Sequence, residues 1–230
     1  MKAIILAAGK GERLKSVLNN LPKPMINIEN KPILEHNINL CKKYNITDIY
    51  INLHHLPHTI MKYFGDGKKF GVNIKYSYEN EILGTSGAVK NISNKDEYFK
   101  YNDFFVIYGD NYSNYDISKL ITENVVNIAL HYREDVSNSG VALINDNNYI
   151  EKFIEKPKNI KIDSNWVNAG IYYLKPEILK FIPDDYSDFS HDIFPKLLEN
   201  EISIYGVKYK DELKYFDTPE SLYKHKNISF

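Results

Sequence analysis

The chain has 230 residues, 43% hydrophobic and 26% charged, an ordinary globular composition with room for one large domain or two small ones. Its 29 basic and 30 acidic side chains leave a net charge of −1, which excludes a global basic field of the kind that binds nucleic acid or a membrane surface. A single cysteine, Cys41, excludes an internal disulfide framework and fits a reducing cytosol, and no run approaches the ~20 apolar residues that cross a bilayer.

Lys2-Ala-Ile-Ile-Leu6 is a short continuous apolar run, the pattern of a strand buried on both faces, and is too short before the glycines to be a signal peptide. It leads straight into the small turn Ala7-Ala-Gly-Lys-Gly-Glu-Arg13. The amphipathic stretch from Ile33 to Cys41 reads as a helix with Pro32 in its first turn. Asp48 to Leu53 is a second strand, Thr59 to Phe64 a second helix and Val72 to Tyr76 a third strand. Helix then strand follows again at Ser86 to Ile92 and Asp103 to Tyr108. Strands alternating with helices imply right-handed crossovers and a mainly parallel sheet. After about residue 125 the rhythm changes to strands at Asn127 to Tyr132, Gly140 to Ile144, Tyr149 to Glu155 and Trp166 to Leu174. Helices around Pro176 to Phe181 and His191 to Glu199 and a strand near Ile204 to Lys208 follow. There is no internal repeat, heptad or linker-like tract. The expected fold is α/β: one Rossmann-like domain over residues 1–230, its mixed, mainly parallel sheet flanked by helices.

A strand ending in a small, glycine-bearing loop can present several backbone N–H groups to an anion, with Arg13 adding a fork-shaped cation and Lys23 a point charge. Such a loop sits at the strand's carboxyl end, where open α/β sheets bind ligands. The spacing is neither Gly-x-Gly-x-x-Gly nor Gly-x-x-x-x-Gly-Lys-Ser/Thr, so neither a dinucleotide fingerprint nor a P-loop is indicated.

Leu6-Ala-Ala-Gly-Lys-Gly-Glu-Arg-Leu14 with Pro22-Lys-Pro-Met25 resembles the signature of the sugar-phosphate nucleotidyltransferase family. The likeness continues, in order and at the usual spacings, through Asn30-Lys-Pro32, Gly84-Thr-Ser-Gly-Ala88, Gly109-Asp-Asn111, Glu155-Lys-Pro157 and Asn168-Ala-Gly170. It implies the nucleotide-diphospho-sugar transferase fold, with residues 1–125 a nucleotide-binding half and 126–230 a sugar-phosphate-binding half. It also implies a cytoplasmic, Mg2+-dependent enzyme of nucleotide-sugar and polysaccharide biosynthesis, whose partners are a nucleoside triphosphate and a sugar 1-phosphate rather than nucleic acid or membrane. Homo-oligomerisation is left open. Residue by residue, the resemblance implies that Leu6, Ala7, Ala8, Gly9, Gly11 and Arg13 hold the triphosphate. Lys23 would neutralise phosphate charge in the transition state, and Asp110 would hold Mg2+, a hard cation suited to carboxylate and phosphate oxygens. Lys156 would grip the phosphate of the sugar 1-phosphate. Glu155, Asn111, Gly140 and Asn168 would line the sugar pocket, and Gly84 and Thr85 would belong to the nucleotide site. No covalent nucleophile is needed, because the sugar-phosphate oxygen attacks the α-phosphorus in line.

One feature departs from the family pattern, and another bears on the choice of base. Relatives carry a second metal-binding aspartate in Asp-x-Gly-Thr-Pro-Glu, whereas this chain has Tyr215-Phe-Asp-Thr-Pro-Glu220, two residues shorter before Thr-Pro. Asp217 is the candidate; in the alternative register Tyr215 takes that place, and a third reading makes Asp217 a cap before the following helix. The base-reading position, five residues before Gly84, is Glu79, and a carboxylate accepts only. Guanine offers two adjacent donors and uracil one, so GTP is favoured, with a mannose- or heptose-type 1-phosphate. Two rivals remain: a UTP- or CTP-dependent transferase acting on another phosphate acceptor, and a silent nucleotide-binding paralogue. With no left-handed β-helix repeat in the sequence, a fused acyltransferase is not expected.

Other constellations read as structural. In His54-His-Leu-Pro-His58, Pro57 works against the helical geometry that a zinc pair needs, and a strand-end turn near the base pocket is expected instead. Ser190-His191-Asp192 holds triad letters without triad geometry, and Ser190 reads as a helix N-cap. Cys41 reads as a small buried hydrophobe, and the tyrosine-rich strands as packing rather than base stacking.

Overall fold

A computed structural model describes residues 1–18, 20–157, 162–216, 218–219, 222 and 228–229. In chain order its first elements are β1 (Lys2–Leu6), α1 (Lys15–Leu18), β2 (Asn27–Ile28), β3 (Lys31–Pro32), α2 (Ile33–Lys43), β4 (Asp48–Leu53), α3 (Pro57–Phe64), β5 (Asn73–Tyr78), α4 (Gly84–Lys95), α5 (Tyr98–Tyr101) and β6 (Phe104–Tyr108). These are followed by β7 (Asn111–Ser113), β8 (Val126–Tyr132), β9 (Gly140–Ile144), β10 (Ile150–Glu155), β11 (Trp166–Leu174), α6 (Phe194–Glu199), β12 (Ile204–Tyr209), β13 (Leu213–Tyr215) and β14 (Ile228–Ser229). Two compact units result, each assembled from separate stretches of the chain. The first comprises Met1–Ile82, Ile107–Asn114 and Leu213–Phe230; the second comprises Leu83–Val106 and Tyr115–Glu212.

In the first unit β1 pairs in parallel with β4, from Lys2↔Asp48 to Leu6↔Asn52, and β4 pairs in parallel with β5, from Asp48↔Asn73 to Leu53↔Tyr78. The registers bring the carboxyl ends of all three strands to one level, so residues just past Leu6, Leu53 and Tyr78 become neighbours. Ala3, Ile4 and Ile5 are fully buried, which explains why this strand reads as a continuous apolar run rather than an alternating one. Helix α2 carries Glu35 in its first turn and Lys42 and Lys43 in its last, both matched to the helix dipole. Pro32 is its N-cap rather than a first-turn residue, since Pro32 still belongs to the two-residue β3. Cys41 is fully buried on this helix, and burial pushes its thiol up to about 12. A local core of Leu14, Leu18, Ile26, Ile28, Ile33, Phe216 and Leu222 packs under the first loop. At about 1.5–3 kcal/mol for each fully buried aliphatic or aromatic side chain, this cluster anchors a segment otherwise poor in regular structure.

In the second unit β8 pairs antiparallel with β11 and parallel with β12, while β9 pairs antiparallel with β10 and β11. The β9–β10 hairpin closes through Asn145–Asn148, where Asn148 takes the left-handed conformation that asparagine tolerates. Tyr115 and Tyr209 stack at 4.2 Å between centroids, and Tyr172 packs edge-on against Phe189 and Phe194. These tyrosines are core residues, Tyr172 on β11, Tyr209 at the end of β12 and Tyr115 in the segment after β7.

The second unit corrects three expectations. Pro176–Lys180 is a 3₁₀ segment rather than an α-helix, consistent with its brevity. The last long helix opens with a wider π turn over Phe189–Ile193 before α6. Ser190 is not its cap. Asp188 is, its Oδ1 accepting the N–H groups of Ser190 (2.9 Å) and His191 (3.3 Å), while the Ser190 hydroxyl is occupied by Asn168.

Candidate functional site

The phosphate-loop candidates follow β1 directly. Leu6 ends the strand, Ala7 and Ala8 are buried, and Gly9 is exposed. The chain then tightens through a 3₁₀ turn at Glu12–Leu14, closed by Leu14 N–H to Gly11 O at 2.9 Å. Leu14 and Leu18 are buried on one side of this turn while Arg13 is exposed.

Lys23 lies in a 3₁₀ turn, Lys23–Met25, set between Pro22 and Pro24. The fixed proline φ angles and the Met25 N–H to Pro22 O bond (2.8 Å) leave the turn little freedom. Lys23 is only 8% exposed, and its ammonium donates to Asp110 Oδ2 at 2.6 Å. A lysine so buried needs a charged partner, and its removal would leave an uncompensated buried charge.

Asp110 stands on a turn clamped from two sides. On one side Gly109 N–H donates to Leu6 O at 2.8 Å. On the other, Asn37 of α2, 1% exposed, donates its amide to Asn111 O (3.1 Å) and Tyr108 O (3.4 Å). Asn111 begins β7, where it pairs with Tyr215 of β13, bringing the end of β13 beside this turn. Asp217 lies outside the described residues. The Lys23 bond uses one oxygen of Asp110, whose side chain is 32% exposed, so the other can serve a cation. Among the described residues no three His, Cys, Asp or Glu side chains form a metal-holding group. One carboxylate fits Mg2+ nonetheless, since this ion takes one or two carboxylates and completes its shell with water and substrate phosphates.

Glu79, just past β5, is 3% exposed and is held by three successive residues at the end of β4. Asn52 Nδ2 donates to its Oε1 at 2.8 Å, Leu53 O accepts its N–H at 2.8 Å, and the His54 ring meets its carbonyl at 2.9 Å. A carbonyl cannot donate, so His54 Nδ1 carries the hydrogen. The histidine motif thus contributes a backbone anchor, as a strand-end turn near Glu79 should. Asn52 Oδ1 in turn accepts the N–H of Ala7 at 2.7 Å. Asn37 and Asn52 were not singled out from the sequence; both are buried, but in a chain rich in asparagine their type carries no signal. An interrupted apolar pattern, Ile51-Asn52-Leu53 in a strand buried throughout this stretch, is the one cue available.

The other candidates belong to the second unit. Gly84 opens α4 with φ 76°, and a Cβ there would overlap the Ser187 carbonyl oxygen, so no other residue fits. Thr85 Oγ1 donates to Asp188 Oδ2 (2.8 Å) and accepts Phe189 N–H (2.9 Å), committing its side chain to the π turn. Gly140 and Glu155 are cross-strand partners, and a Cβ on Gly140 would come within 2.7 Å of Glu155 Oε2. Lys156 pairs with Glu155 at 3.2 Å and keeps half of its side chain exposed. Its φ of 46° is left-handed, stabilised by Lys156 N–H to Ser139 O at 3.0 Å, although residues before proline favour extended backbone. Strain of this kind concentrates at functional positions. Asn168 builds the irregularity of β11: its Oδ1 accepts Gly170 N–H, and its amide reaches Tyr172 Oη (2.6 Å) and Ser190 Oγ (3.1 Å).

The chain is similar to known nucleotidyltransferases in sequence and in structure. The chain is 36% identical, over an alignment of 230 residues, to UTP–glucose-1-phosphate uridylyltransferase of Synechocystis sp., covering 90% of this chain and 58% of that protein. It is 35% identical over 179 residues to the D-glycero-alpha-D-manno-heptose 1-phosphate guanylyltransferase of Campylobacter jejuni, covering 77% of each. The chain thus spans less than two thirds of the length of the cyanobacterial relative. Among solved structures, HddC from Yersinia pseudotuberculosis, also determined complexed with GMP-PN, superposes with a TM-score of 0.80 at 28% identity, over 97% of this chain and 96% of that one. These neighbours share a mixed, mostly parallel sheet flanked by helices. The nucleotidyl transferase family model matches residues 2–224. The chain belongs to the nucleotidyl transferase family.

Proposed function

We propose that this chain transfers a nucleoside monophosphate from a nucleoside triphosphate to a sugar 1-phosphate and releases pyrophosphate. The observation that carries this reading is the buried Lys23–Asp110 pair beside the small-residue loop that follows β1. The loop's N–H groups and Arg13 bind the triphosphate, and Lys23 offsets the charge that builds up as pyrophosphate departs. Asp110 would hold Mg2+, which would supply positive charge to offset that of the phosphates. Lys156 binds the acceptor's phosphate, while Glu155, packed directly over Gly140, accepts from sugar hydroxyls. Asn168 holds the strand that carries it, since its amide is already engaged by Tyr172 and Ser190. Catalysis then rests on alignment and positive charge. No helix among the described residues is long and apolar enough to cross a membrane.

The favoured donor is GTP and the favoured acceptor a mannose- or heptose-type 1-phosphate. Glu79 supports this, because a carboxylate suits guanine's paired donors, and so do the similar guanylyltransferases. A second reading, UTP with a glucose-type acceptor, is supported by the cyanobacterial relative. Pyrophosphate release over a grid of four triphosphates and several sugar 1-phosphates, with Mg2+ and with chelator, tests both. One productive, Mg2+-dependent pair is expected. Triphosphate binding without turnover in any combination would instead support a nucleotide-binding regulatory protein.

A further inference from the structure

The end of β4 joins two parts of the nucleotide site that lie far apart in sequence. Asn52 is 3% exposed and spends both ends of its amide on them: Oδ1 takes the Ala7 N–H at 2.7 Å and Nδ2 donates to Glu79 Oε1 at 2.8 Å. An asparagine amide carries its acceptor and its donors on separate atoms, so Oδ1 can accept from a backbone N–H on one side while Nδ2 donates to a carboxylate on the other. Leucine in its place would satisfy neither partner, and aspartate would set a second carboxylate against Glu79. The parallel register places Asn52 level with Leu6, so the reach to Ala7 follows directly from strand pairing. Leu53 and His54 fix the Glu79 backbone, and Asn52 bonds its carboxylate directly.

We propose that Asn52 is a positioning residue for base selection: it fixes the Glu79 carboxylate relative to the first turn of the phosphate loop, so that base edge and phosphates are read on one rigid frame. The proposal rests on Glu79 as the base reader. Each carboxylate oxygen has more than one acceptor site, so Oε1 can hold Asn52 and still contribute to recognition. A misdirected carboxylate costs discrimination more than general affinity, because specificity depends on whether each buried polar group finds its partner.

The test compares the dissociation constants of GTP, UTP and inorganic tripolyphosphate, with Mg2+, for the wild type and for Asn52→Leu, Glu79→Gln and Asn37→Leu. Asn52→Leu is expected to narrow the ratio between GTP and UTP by about tenfold, the scale of a lost bond to a charged group, with a smaller change for tripolyphosphate. Asn37→Leu removes a comparable buried amide from the same unit and should lower the melting temperature without altering that ratio. If Glu79→Gln narrows the ratio and Asn52→Leu does not, the proposal fails while the reading of Glu79 stands. If Glu79→Gln leaves the ratio unchanged, the reading of Glu79 fails and takes the proposal with it. Should Asn52→Leu not fold, Asn52→Ser replaces it; serine is too short to bridge both partners and should narrow the ratio likewise.

Discussion

Lys156 combines two properties that usually exclude one another. It is a flexible, half-exposed cation, yet its backbone sits at φ 46° immediately before a proline. A non-glycine residue held in this region costs on the order of 1 kcal/mol or more, so a lysine here gives up stability that glycine would not. Glycine would relieve the strain but would add freedom to the unfolded chain, a penalty of about 0.5–1 kcal/mol, so the two effects nearly cancel. Lys156→Gly should therefore keep its melting temperature within a few degrees of the wild type. It should also raise the sugar 1-phosphate KM or lower kcat by tenfold or more, with triphosphate binding little changed. Calorimetry and steady-state kinetics on the same preparation would check this; loss of triphosphate affinity alone would move Lys156 to the other substrate.

At the scale of elements, helix α2 acts through one residue on the turn that carries Asp110. Asn37 bonds the carbonyls on both sides of Gly109-Asp110, so Asn37→Leu removes two part-buried hydrogen bonds, at about 1 kcal/mol each. The expected outcome is a lower melting temperature together with a higher Mg2+ concentration for half-maximal activity; unchanged Mg2+ dependence would show that the turn holds its shape unaided. The same region shows what the sequence could and could not disclose. Strands of five residues or more were legible, because burial on both faces writes itself as an apolar run. The two- and three-residue strands β2, β3, β7 and β13 were not, since a pair of residues has no periodicity. The charged residues proposed here for binding and catalysis, Lys23, Asp110, Glu155 and Lys156 among them, stand in sequence motifs. Asn37 and Asn52 could not be picked out that way, because their work depends on which backbone groups the fold carries to them. Ser190 was misread for a related reason: Asp188, two residues earlier, is the stronger acceptor and takes the cap.

Across the whole chain the charges nearly balance, so its pH response depends on individual groups rather than on a net field. Two histidines of the second unit are shifted in opposite directions. Burial, helped by the Arg133 guanidinium, lowers His131 below its ordinary 6.5, and its Nδ1 faces the Tyr115 hydroxyl at 2.9 Å. The hydrogen bond to Asp192 raises His191 above 6.5, with the charges of Asp192, Asp188 and Glu155 acting in the same sense. For His131 the unfolded chain binds the proton more readily than the folded one, so its contribution is present above pH 6.5 and is lost as pH falls from there towards its lowered value. For His191 the order is reversed: its contribution is complete below pH 6.5 and is lost as pH rises through its raised value. The two losses lie on opposite sides of 6.5, which flattens the summed curve around that pH. They should separate with salt. His191 is exposed and its ion pair is screened, whereas the leading cause at His131 is burial, which salt leaves unaltered. Histidine ring resonances followed by NMR should therefore show one midpoint below and one above 6.5, with the upper one moving further towards 6.5 at molar salt than the lower. A common midpoint for both rings would mean that neither the burial of His131 nor the Asp192 contact of His191 persists in solution.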